Sequence, residues 1–90
     1  MTNHAKVFLE SRGISGYDQW MCEFCGKIVA EARELDVHHI RYRSMGGKDE
    51  PENLIGACRL CHESFHSQNI HEETLKIRVE GILEYLEEIK

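Results

Sequence analysis

Apolar residues along the 90-residue chain fall into short clusters separated by polar turns, with one longer run near the C-terminus. There Leu75, Val79, Ile82, Leu86 and Ile89 recur every three or four positions, a coiled-coil-like stripe that predicts a helix from about Glu72 to Ile89. The stripe is expected to pack on the rest of the domain of a monomer, with a homodimer seam as the alternative. Gly81 in mid-helix costs about 1 kcal/mol relative to Ala and weakens a long free coiled coil. At the other end, Asn3–Arg12 predicts a short helix capped by Thr2 or Asn3, carrying Val7, Phe8 and Leu9 and stopped by Gly13.

Between these helices the pattern shortens. Lys27–Ala30, Leu35–Arg41 and Asn53–Ala57 are β-branched or apolar runs that predict strands, the last two lying side by side. Two glycines and the only proline make Ser44–Glu52 a loop, and Cys58–Gln68 is expected to be helical. The order predicts an α+β fold read as a single domain: an N-terminal arm over 1–20, a core over 21–70 and an amphipathic helix over 71–90.

Composition adds two constraints. A chain of this length buries only about 60–65% of the surface it exposes unfolded, so a staple beyond the hydrophobic core is expected. With 41% apolar and 30% charged residues the composition is that of an ordinary globular protein. No run approaches the roughly 20 apolar residues of a membrane span, and MTNHAKVFLESRG lacks the basic start and apolar centre of a secretory signal. A cytoplasmic chain with no membrane partner is therefore expected, in a compartment where disulfides are uncommon. Eleven Lys and Arg against sixteen Asp and Glu give a formal charge of −5, which offers no global attraction for nucleic acid.

Four cysteines supply the staple. Cys22 and Cys25 form one CxxC pair and Cys58 and Cys61 a second, with 32 residues between the pairs. Each tight turn can present two sulfurs to one ion, and two such turns complete a tetrahedron around zinc. All four positions are then filled by protein, so the zinc is structural, since catalysis needs an open position. Disulfides, a redox CxxC and an iron–sulfur cluster are the competing readings, and the paired spacing favours zinc over each.

A second constellation lies between the cysteine pairs. His62 and His66 are four apart on the expected helix, so both rings leave one face and can grip one cation. Cys61 and His62, as neighbours, lie about 100° apart around that helix, which can serve zinc on one side and another metal on the other. His38 and His39 sit on the preceding strand, where adjacent residues face opposite ways, so both join one site only if the strand is bulged. Asn53, just after the loop, is placed to lock that loop against the histidine-bearing strand. His4 and His71 are expected to be ordinary surface residues.

With CEFCGK, DVHHI, GGKDEPENL and CRLCHESFH in this order, the stretch from Cys22 to His66 resembles the HNH endonucleases in their zinc-bracketed form. The resemblance implies a small zinc-stapled ββα-metal domain with flanking N- and C-terminal helices. It implies His38 and His62 as ligands of a catalytic divalent ion with His66 as a further ligand, His39 as the general base, and Asn53 as the residue that holds the loop and orients the base. Asp36 is read as a partner of a ligand histidine. The implied activity is hydrolysis of DNA phosphodiester bonds, nicking or cleaving with low intrinsic sequence specificity. A non-catalytic zinc module that binds nucleic acid or protein, or a subunit whose partner supplies specificity, is the alternative. Imidazole ligands suit manganese, nickel, cobalt or zinc by affinity, while magnesium serves at cellular concentrations.

Phosphate contacts are expected from Arg41 and Arg43, which share a face if the strand continues, and from Lys48 and Arg59. Tyr42 and Trp20 are expected in packing rather than in base stacking. The acidity does not oppose this surface. Residues 1–45 carry six basic and six acidic residues, and residues 46–90 carry five and ten, so the −5 lies in the second half.

Overall fold

The fold is that of a computed structural model in which residues 2–89 are described. Helix α1 (Asn3–Arg12) forms where its capping residues predict it: the Thr2 hydroxyl accepts from the Ala5 N–H, and Gly13 closes the helix in the left-handed region at φ 72°. Strands β1 (Trp20–Met21) and β2 (Ile28–Val29) pair antiparallel around the first cysteine turn. Strands β3 (Asp36–His39) and β4 (Leu54–Ala57) form a second antiparallel pair, with Asp36 opposite Ala57 and His39 opposite Leu54. Helix α2 (Arg59–Ser67) follows with Cys58 as its N-cap, and α3 (Glu72–Glu88) starts after Asn69 at φ 52°, with His71 Nδ1 accepting from the Glu73 N–H. Two strands and the helix after them thus make the ββα unit, with α1 and α3 flanking it. Among the described residues no helix is long and apolar enough to cross a membrane.

β4 is the centre of the molecule, buried along its whole length. Phe8 of α1 lies so close against it that a methyl at Gly56 would sit 2.4 Å from the Phe8 ring. Leu54, Ile55, Phe65, Leu75 and Val79 continue this core. The C-terminal stripe contributes over its first turns: Leu75 and Val79 are buried, Ile82 and Leu86 half-buried, and Ile89 exposed.

A buried ion pair that sequence reading missed ties α1 to the cysteine turn. Arg12 and Glu23 are 3% and 2% exposed and pair bidentately, with Nε to Oε2 at 2.8 Å and Nη2 to Oε1 at 3.0 Å. Arg12 also donates to the Leu54 carbonyl, and Glu23 accepts from the Gly56 N–H. Every charge is matched. Removing one partner would strand the other, at about 3–5 kcal/mol.

β3 is shorter than the strand expected to run to Arg41. The Ile40 N–H still reaches the Asn53 carbonyl, but the Arg41 N–H is taken by the Asn53 side-chain Oδ1 at 2.9 Å, so a side chain ends the ladder. The chain then turns through Arg43–Met45, passes Gly46 in the left-handed region and enters Pro51–Asn53, two 3-10 turns that straddle the two ends of the expected loop. At Gly47 a Cβ would lie 1.8 Å from the Arg41 carbonyl oxygen, so only glycine fits.

Candidate functional site

The four sulfurs of Cys22, Cys25, Cys58 and Cys61 lie within 4.8 Å of one another. Cys25 Sγ and Cys58 Sγ are 3.9 Å apart, close to the edge of about 3.8 Å of a tetrahedron with zinc–sulfur bonds of about 2.3 Å. No disulfide joins them. Local backbone explains the gathering. Gly26, at φ 82°, lets the β1–β2 turn close on the first pair, and the start of α2 presents the second. Burial raises the Cys22 pKa, but N–H groups of Cys25, Cys58 and Phe24 outweigh it and leave the thiol at about 7. Cys61 is pushed up by burial and by hydrogen bonds with the other thiols. Four sulfurs gathered at these distances are the donor set that a zinc ion would neutralise, and it would leave no open position.

The second cluster is built on the opposite principle. His38 from β3 and His62 and His66 from α2 bring ring nitrogens within 4.8 Å of one another, with ring centroids 5.1 to 5.2 Å apart. The four-residue spacing on α2 aligns two of them, and the face of β3 turned to α2 adds the third. Asp36 accepts from His62 Nδ1–H at 3.0 Å, which leaves the lone pair on Nε2. Tyr42 Oη lies 3.2 Å from His66 Nδ1, so both Nε2 atoms point inward, 3.4 Å apart. Burial first, then the imidazoles of His62, His66 and His39, push the His38 pKa down to about 4, so its ring is neutral at pH 7 and able to ligate. These residues fit a divalent ion with outer positions open to solvent. Val37, His38, His39, Tyr42, Arg43, Ser44, His62 and His66 line the depression above them.

His39 does not join that trio. The β3–β4 register is continuous, so strand alternation holds and sends His39 to the other face. There Nε2 meets Asp49 Oδ1 at 2.7 Å, while Asp49 Oδ2 accepts from Asn3 Nδ2 at 2.8 Å and from Arg43 Nη2 at 3.3 Å. The His39 bond, followed by that of Asn3, lowers the Asp49 pKa, so Asp49 is a carboxylate and the shared proton sits on His39 Nε2. His4, expected to be a plain surface residue, is half-buried with its ring centroid 4.8 Å from that of His39. Sequence reading missed Asp49, Asn3 and His4. The one signal available was an acidic residue in a glycine loop next to a candidate base.

Asn53 holds the loop as expected. Besides accepting from the Arg41 N–H, it donates Nδ2 to the Arg41 carbonyl at 3.2 Å and to the Lys48 carbonyl at 2.9 Å. It touches His39 only indirectly, through the residue beside Asp49. The basic candidates separate. Arg41 and Arg43 do not share a strand face, because β3 ends at His39. Arg41 donates instead to the Met45 carbonyl and, with Lys48, lines a neighbouring depression alongside Glu50, Glu52, Glu72 and Glu73. Arg43 borders the histidine depression, and Arg59 pairs with Asp36 at 3.0 Å beside His62.

No curated protein and no solved structure matches the chain. The family model of the HNH endonucleases matches residues 22–68, a stretch that holds both cysteine pairs, His38, His39, Asn53, His62 and His66. With just over half its length in that match, the chain belongs to the HNH endonuclease family.

Proposed function

We propose that this protein is a metal-dependent DNA endonuclease with little sequence preference of its own. The observation that carries the reading is the division of two adjacent histidines. His38 belongs to a trio of ligand type, His39 faces a carboxylate, and both border one surface depression.

In this reading His38, His62 and His66 would hold a divalent ion, which would supply charge stabilisation to the phosphate undergoing hydrolysis. His39, with its proton on Nε2, offers the lone pair of Nδ1 to a water. The water oxygen bonds to phosphorus as its proton passes to Nδ1. The bond from phosphorus to the 3′ oxygen breaks, and that oxygen takes a proton from solvent, leaving a 5′ phosphate and a 3′ hydroxyl. Arg43 and Arg59, beside the histidines, would meet backbone phosphate. A zinc held by the four cysteines would take no part in the chemistry and would tie α2 to the β1–β2 turn.

Supercoiled plasmid incubated with manganese or magnesium tests this. Wild-type protein is expected to nick or linearise it, and His39→Ala to do so about 100- to 10,000-fold more slowly. Plasmid left intact across divalent ions, or equal cutting by the variant, would overturn the catalytic assignment in favour of a zinc module that only binds.

A further inference from the structure

We infer that Asp49 is a positioning residue for His39 and that α1 completes this arrangement, so the catalytic apparatus extends beyond the segment matched by the family. The inference rests on the reading of His39 as general base. Asp49 is the carboxylate on His39, at 2.7 Å from Nε2, and both members of the pair are largely enclosed, at 13% and 11% side-chain exposure. A carboxylate accepts only, so this contact selects the tautomer with the proton on Nε2 and fixes where the Nδ1 lone pair points. When His39 takes a proton, the same carboxylate faces the new positive charge.

Asp49 is itself held from two directions. Asn3, 46 residues away in sequence, donates to Oδ2 from the first turn of α1, and Arg43 approaches the same oxygen from the loop. Asn53 fixes the backbone immediately before Asp49 through the Lys48 carbonyl. His4 packs its ring on His39 from α1, leaving the imidazole bounded on a second side. α1 in turn is anchored by Phe8 on Gly56 and by the buried Arg12–Glu23 pair. The base is therefore positioned by a chain of contacts that reaches the core, and every link lies outside the histidine trio.

The test combines kinetics with the imidazole 15N spectrum of the zinc-loaded full chain. Wild-type His39 is expected in the Nε2–H tautomer, and Asp49→Ala is expected to show a tautomer mixture, with kcat for plasmid lowered about 10- to 100-fold and KM unchanged. Asp49→Asn keeps the shape of the side chain and guards against loss of the fold; its kcat is also expected to fall without a change in KM, because a neutral amide no longer faces the charged imidazole. Asn3→Ala should lower kcat less than either. A wild-type tautomer and kcat in both Asp49 variants would overturn the inference, as would a change confined to KM. So would a second zinc equivalent that shifts the His4 and His39 ring signals together, since the three groups would then be a cation site. If the wild type cuts no DNA, the nuclease reading fails, and the tautomer comparison still decides whether Asp49 controls His39.

Discussion

The cysteine cluster and the histidine trio sit side by side on α2, where Cys61 and His62 are neighbours, and they contrast at every other level. The β1–β2 turn and the start of α2 converge on four sulfurs, of which those of Cys22 and Cys58 are on buried residues, and a metal there would have no vacancy. At the other cluster, one strand and one helix face supply three nitrogens beneath an open depression. The first arrangement answers a deficit of core and the second leaves room for a reactant. Local sequence determines which is which: cysteines in pairs three apart close a site, and histidines four apart on a helix leave one side of it empty.

The sharpest way to break this contrast is at the closed site. Structural zinc contributes about 10–16 kcal/mol of apparent binding energy in small zinc domains, and a chain of this length is stable by only about 5–14 kcal/mol. Cys58→Ser is therefore expected to leave the protein unfolded at 25 °C, by circular dichroism, with less than one zinc per chain. The matching change beside the open site should be much milder. Asp36→Ala removes the carboxylate from His62 and is expected to weaken the catalytic divalent ion about 10- to 100-fold by metal titration, with zinc content and folding retained. If Asp36→Ala lost zinc as well, the two clusters would not be independent.

How much of this was legible in the chain follows from the distance over which each feature acts. The cysteine pairs, the His62 and His66 spacing, the α1 caps and the α3 stripe are set within one or two turns of backbone, and their elements form close to the expected boundaries. Asn53 was legible too, because a turn residue between a loop and a strand has few other uses. Asp36, expected beside a ligand histidine, is found on His62.

What escaped depends on docking between distant segments. Asp49 meets Asn3 and His4 only because α1 lies against the sheet, and no periodicity records that contact. Arg12 and Glu23, eleven residues apart, pair only where the core closes over both. The shared face expected of Arg41 and Arg43 failed for a local reason with a long-range cause: Asn53, twelve residues on, replaces a backbone partner and ends β3 early. That same substitution of side chain for backbone shapes the loop carrying Asp49.

The most direct measurement follows metal content and plasmid cleavage in one sample before and after brief exposure to a mild chelator. One zinc per chain should stay bound while cleavage disappears, and manganese alone should restore it with the zinc content unchanged. Cleavage that persists in protein holding only that zinc, or that is lost only as the zinc leaves, would contradict the division into one closed structural site and one open reactive site.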